Sequence, residues 1–206
     1  MRIPRSCKRR GTNHKIGVSD QILEQLFESP SKVKLLKLFL RNQKSKFIAS
    51  DACSRAQIDS RSGHKALERL RKAGVLKCYG KTYFINPSFI FFDELRSLVL
   101  KSSPASKSRM LKRIKGLGRI KLVVLSGIFM RPDRELSRTD LLVVGDDVSQ
   151  KRLENFLKQL EAEAGCEIQY SLLSSDEFNY RREMLDRFLR DVLERPNEML
   201  INKLRV

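Results

Sequence analysis

Hydrophobic positions in the first hundred residues recur mostly at helical spacing. Ile22, Leu23, Leu26 and Phe27 fall at i, i+1, i+4 and i+5, with Asp20 near the start, which predicts a helix from Ser19. Ser29-Pro30-Ser31 interrupts that stripe. A second helix follows with Val33, Leu35, Leu36, Leu38, Phe39 and Leu40, apolar nearly all round apart from Lys34 and Lys37. Such a helix belongs in the middle of a core. After a polar loop over 41–45, a short helix is expected over 49–56 and a longer one over 62–73. The longer one carries Ala66, Leu67, Leu70 and Ala73 on one face, and Gly74 stands at the C-cap position.

The period then changes. Residues 75–79 (VLKCY) and 82–86 (TYFIN) are rich in β-formers and are separated by Gly80-Lys81, a β-hairpin signal that Pro87 ends. Phe89, Phe92, Leu95, Leu98 and Val99 form a further helical stripe. Residues 101–108 (KSSPASKS) look like a linker, and 110–116 a short basic helix. Beyond them the chain alternates. Residues 121–126 (KLVVLS) and 140–144 (DLLVV) are apolar runs of strand length, suited to a sheet covered on both faces. Ser149 is placed to cap a helix bearing Leu153, Phe156, Leu157 and Leu160. Residues 166–173 read as a third strand and 174–194 as helical.

Charge divides the chain. The net is +18 over 206 residues, but residues 1–121 hold 29 Lys and Arg against 8 Asp and Glu, and residues 122–206 hold 13 against 16. An excess of that size on one half favours a polyanionic partner over a merely solvated surface. No basic amphipathic helix with a bulky aromatic face recommends a membrane as that partner, and no apolar run reaches the length of a bilayer span. The N-terminal segment lacks the apolar stretch of a secretory signal. Cys7, Cys53, Cys78 and Cys166 are scattered without metal-ligand spacing, so free thiols in a reducing cytoplasm are expected, with no metal site and no cofactor.

Helix, helix, short helix, longer helix and hairpin is the order of a winged helix-turn-helix, which presents its last helix to the major groove of double-stranded DNA. The exposed side of that helix and its entry offer Ser60, Arg61, Ser62, His64, Lys65, Arg69 and Lys72, and the hairpin adds Lys77, Lys81 and Thr82. Hydroxyls and cations of this kind anchor phosphates, and arginine reads guanine edges. Residues 30–100 resemble winged-helix transcriptional regulators of the ArsR/MarR type. SPSKVKLLKLFL is similar to the family's opening helix, and SGHKALERLRKAGVLKCYGKTYFINP to its recognition helix, wing and closing Asn-Pro. The resemblance implies a sequence-specific DNA-binding regulator. The stripe of Phe89, Phe92, Leu95 and Val99 either pairs two copies into a homodimer or packs back on its own domain.

The second half, over about 119–200, resembles the minimal nucleotidyltransferase core. KLVVLSGIFM and SRTDLLVVGD stand where that family has its Gly-Ser loop and its pair of carboxylates one residue apart. Such carboxylates hold the Mg²⁺ that neutralises a triphosphate. Gly127 fits the pattern. Ile128 replaces the serine, Pro132 a second glycine, and Arg138 the first carboxylate, leaving Asp140 alone. Asp146 and Asp147 lie beyond the strand at another spacing. The resemblance therefore implies a domain that lost transferase chemistry and serves packing, dimerisation or ligand sensing, with a nucleotide as a ligand it could still take through Arg138. The expected organisation is a basic flexible arm (1–18), a winged-helix domain of α+β class (19–100), a linker with a basic helix (101–118) and a small α/β domain (119–206). The competing readings are an active nucleotidyltransferase modifying protein or RNA, and an RNA-binding protein.

Overall fold

The computed structural model describes residues 20–102, 105–130 and 139–206, and the basic arm expected over 1–18 lies outside them. The described residues form a mixed α and β structure with two small sheets. Helices α1 (Asp20–Leu26) and α2 (Pro30–Arg41) come first. Ser29 caps α2 by accepting a hydrogen bond from the Lys32 amide, and Pro30 takes the first helical position, where its missing N–H costs nothing. A two-residue strand β1 (Phe47–Ile48), helix α3 (Ala49–Arg55), helix α4 (Ser60–Lys72), and strands β2 (Leu76–Tyr79) and β3 (Thr82–Ile85) follow, then α5 (Phe92–Lys101). The strands pair antiparallel in the order β1-β3-β2.

The first core gathers Leu35, Phe39 and Leu40 of α2, Phe47, Ala52 of α3, Leu67 and Leu70 of α4, and Tyr83 and Ile85 of β3. α2 is buried over most of its circumference, as its sequence requires. Gly63 lets α3 and α4 approach: a Cβ there would stand 2.2 Å from Cys53 Sγ. Val99 of α5 is buried in this core, and Phe89, Phe92 and Leu95 are partly buried against it.

The segment expected as a linker is more than a spacer. Ala105 is fully buried, and α6 (Lys107–Ile114) buries Met110 and Ile114 in a second core. Residues 101–121 hold eight Lys and Arg and no Asp or Glu, so part of the charge assigned to the first half is carried by a helix of the second core. Strands β4 (Arg119–Leu125), β5 (Leu141–Asp146), β6 (Tyr170–Leu173) and β7 (Glu198–Asn202) build the second sheet in the order β6-β5-β4-β7. Only the β5–β6 pair is parallel. Side chains alternate across this sheet. Val123, Leu125, Leu141 and Val143 face α6 and α7 (Gln150–Ala164), while Leu122, Val124, Leu142 and Val144 face α8 (Ser175–Glu183) and α9 (Arg187–Glu194). Both faces are covered, as the continuous apolar runs predict. The helical stretch over 174–194 is broken at Leu185, whose φ is +52°, and Asp186 then caps α9.

The two cores meet where α2 packs on α7. Gly165 ends α7 with φ +79°, and a Cβ there would lie 2.5 Å from the Lys37 carbonyl carbon. Asn42 Nδ2 donates to both Leu38 O (2.7 Å) and Gly165 O (2.8 Å), tying the C-terminal ends of the two helices together. Beside this joint the buried Glu163 accepts from Arg113 (2.9 Å), and Arg109 reaches Glu24 of α1 (3.2 Å). Burial pushes the neighbouring Lys34 ammonium below its ordinary value, an effect that Glu163 opposes. No helix among the described residues is long and apolar enough to cross a membrane.

Candidate nucleic-acid interface

α4 begins two residues earlier than its hydrophobic stripe suggests, because Asp59 caps it: Asp59 Oδ2 accepts from the Ser62 amide at 3.1 Å. Gly63, Ala66, Leu67 and Leu70 form its buried side. Arg61, Lys65, Glu68 and Lys72 recur at i, i+4, i+7 and i+11 and so line the opposite, outward side. Arg61, Lys65 and Lys72 are exposed there. His64 is exposed beside them, and its Nδ1 donates to the Ser60 carbonyl at 2.8 Å. Ser60 and Ser62 are exposed at the entry.

Glu68 has no place in the expected basic face. It is neutralised in place: Arg71 donates to it through Nε and Nη2 (2.8 Å for the latter), and the Tyr83 hydroxyl donates to Oε1 at 2.7 Å. The Arg71 hydrogen bond, then that of Tyr83, holds the Glu68 carboxyl below its usual range. Burial, then Glu68, pushes the Tyr83 phenol up to about 12. The trio locks α4 to β3. The outward row is therefore three cations around a satisfied carboxylate, which the expected set of hydroxyls and cations did not include.

Three of the expected contacts lie away from that row. Arg69 is exposed roughly 70° round α4 from the row of Arg61, Lys65 and Lys72 and borders an apolar cavity of about 460 Å³ with Phe27, Lys32, Leu36, Phe91 and Leu98. Lys77 and Thr82 fall on a different surface from α4. In β3 the inward residue is Tyr83, which touches α4, so its neighbour Thr82 points to the other side of the sheet. Lys77 shares that outer side with its partner Phe84. Lys81 occupies the turn, where Gly80 at φ +59° supplies the left-handed residue of a two-residue hairpin. The candidates thus separate into an α4 surface (Ser60, Arg61, Ser62, His64, Lys65, Lys72) and a sheet surface (Lys77, Thr82), with Lys81 at the tip.

In the second half, Arg138 and Pro132 lie outside the described residues. Gly127 opens a turn of 3-10 helix (Gly127–Phe129) directly after β4, with φ +51°. Ile128 is buried, and its amide donates to Asp140 Oδ1 at 3.0 Å. The Gln169 amide donates to Asp140 Oδ2, also at 3.0 Å. Asp140 is 1% exposed, so its carboxylate fastens the loop after β4 to the approach of β6. Asp146 is the last residue of β5 rather than lying beyond the strand. It accepts from the Ser175 amide (3.0 Å), the Ser175 hydroxyl (2.8 Å) and Lys121 Nζ (2.9 Å). These partners, the Ser175 amide first, hold its carboxyl down at about 2. Asp147 pairs with Arg119. Each of the three carboxylates thus has a partner within the fold.

No protein-family model matches the chain, and neither a curated protein nor a solved structure does.

Proposed function

We propose that the protein is a sequence-specific DNA-binding transcriptional regulator whose first half is a winged helix and whose second half is a nucleotidyltransferase-like scaffold without transferase activity. The observation that carries this reading is the outward face of α4. Arg61, Lys65 and Lys72 are exposed there in one row, and the only carboxylate among them is held by Arg71 and Tyr83. A helix held from behind by α3 and from the side by a β-hairpin can enter a major groove as a rigid unit. Its N-terminal residues Arg61, His64 and Lys65 then meet base edges. The sheet order β1-β3-β2 with its Gly80–Lys81 turn supports a wing beside that helix.

The order of strands and the place of Asp140 support the second element of the proposal. β4, a turn at Gly127, β5 and the parallel β6 agree with the nucleotidyltransferase pattern. A transferase, however, needs carboxylates open to Mg²⁺. Asp140 spends both oxygens on backbone amides, and Ile128 presents a buried alkyl group where a phosphate-facing hydroxyl belongs. On this reading the domain is a packing partner for α2, and the regulator works in the cytoplasm without a cofactor.

Selection of purified protein against random duplex DNA, followed by sequencing, tests the proposal. A single enriched motif is expected, lost with Arg61→Ala. Recovery of random sequence by the unaltered protein contradicts sequence-specific binding.

A further inference from the structure

The outer face of the first sheet is chemically unlike the face of α4. Register fixes its members: Ile48 pairs with Thr82, Tyr79 with Thr82, and Lys77 with Phe84, all on the side away from Tyr83. Tyr79 is 86% exposed and Ile48 50%, so no described element covers this face. Tyr79 and Phe84 are diagonal neighbours across β2 and β3, a separation of roughly 7–8 Å that lets two aromatic rings take separate flat partners. Lys46 Nζ stands over the half-buried Phe84 ring, 5.6 Å from its centroid, in a cation–π contact that a base must displace to stack there. Lys77, paired with Phe84, and Lys81 in the adjoining turn are exposed as well. Residues 41–50 and 75–92, which supply all of these groups, contain no Asp or Glu.

A duplex buries the faces of its bases in its own stack, so aromatic rings on a sheet have little to gain from it. Unpaired bases present open π-faces, and sheet surfaces that combine stacking rings with lysines along the strand suit them. We propose that the outer face of this sheet binds single-stranded nucleic acid, with Tyr79 and Phe84 stacking on unpaired bases and Lys46 and Lys77 contacting the intervening phosphates. This surface is distinct from the α4 face and does not depend on the duplex reading. DNA and RNA strands share the chemistry, and comparing them shows which is preferred.

The test is fluorescence anisotropy of the full chain with labelled oligo(dT) and oligo(U) at one fixed salt concentration. Tyr79→Ala should weaken binding to at least one strand roughly tenfold, because a base-aromatic stack is lost. Tyr79→Phe keeps the ring and should retain binding. Tyr79 is largely exposed, so neither change threatens folding, and circular dichroism checks that. The Arg61→Ala, Lys65→Ala double variant should bind both strands as the unaltered protein does. Binding unchanged by Tyr79→Ala, or absent for both strands, overturns the proposal. So does loss of strand binding in the α4 variant alone, since the strand would then lie on α4. If strands bind through Tyr79 while random duplex selection enriches nothing, the duplex reading fails and this one stands.

Discussion

Replacing Asp140 by asparagine keeps the shape of the side chain and exchanges one carboxylate oxygen for an NH₂ group. In the fold both oxygens accept from backbone amides, Ile128 N–H and Gln169 N–H, each at 3.0 Å, and the residue is 1% exposed. Hydrogen bonds to a charged acceptor contribute about 1.5–3 kcal/mol each, and a buried donor left without a partner costs about 1–3 kcal/mol. Asparagine can serve one amide but must turn its own N–H groups toward the other. A loss of about 2–3 kcal/mol follows for Asp140→Asn, and about 3–5 kcal/mol for Asp140→Ala, which abandons both amides. Against a total of roughly 5–15 kcal/mol for a domain, either change is large. Urea unfolding followed by circular dichroism measures it through the midpoint at constant slope. A carboxylate kept for metal chemistry behaves in the opposite sense: its removal is neutral or stabilising, and millimolar Mg²⁺ raises the melting temperature of the unaltered protein alone. Asp140→Asn within about 0.5 kcal/mol of the unaltered protein, together with such a Mg²⁺ shift, would refute the reasoning from hydrogen bonds.

The other expected outcomes concern packing and acid. Gly63→Ala puts a Cβ against Cys53 Sγ at 2.2 Å and should cost about 1–3 kcal/mol by denaturant unfolding, with part recovered when Cys53→Ala is added; simple additivity of the two would contradict the contact. Gly165→Ala combines a left-handed φ of +79° with a 2.5 Å approach to the Lys37 backbone, so it should loosen the joint between α2 and α7, read as faster proteolysis between the halves. Asp146 has its carboxyl depressed from 3.8 to about 2 in the folded state, so its contribution is present above the ordinary value and disappears as pH falls from there to about 2. Stability of Asp146→Asn should therefore vary less over that window than stability of the unaltered chain, and parallel curves would contradict the assignment.

Elements with a long, regular stripe were legible from sequence. The buried face of α7 is the expected one, α2 buries its expected apolar residues and Lys37 besides, α4 buries Ala66, Leu67 and Leu70 but leaves Ala73 exposed, and the two apolar runs of the second sheet are buried on both sides. What was missed is short, half-buried or dependent on distant partners. β1 is two residues long, so its alternation of Phe47 inward and Ile48 outward has no period to detect. β7 (EMLIN) is half-buried along most of its length at the edge of its sheet and follows Pro196, so neither alternation nor continuous burial marks it. The break at Leu185 comes from a positive φ on a residue that ordinarily favours helix. At the candidate site, the row Arg61, Lys65 and Lys72 was readable from helical spacing. The cavity that the exposed Arg69 borders, and the pairing of Glu68 with Tyr83, depend on which neighbours α4 packs against. Asp140 was identified as a carboxylate without its partner. That its oxygens hold two amides, one of them 29 residues away in sequence, could only come from the fold.

Whether α4 reads duplex DNA is tested by anisotropy titration of the full chain on its selected duplex and on a random duplex over a range of salt. Affinity for both should fall steeply as salt rises, because exposed lysines and arginines displace counterions from phosphates. Arg61→Ala or Lys65→Ala should cost about 1–3 kcal/mol on the selected duplex and much less on the random one. Equal losses on both duplexes, or no dependence of affinity on salt, would contradict that role for α4.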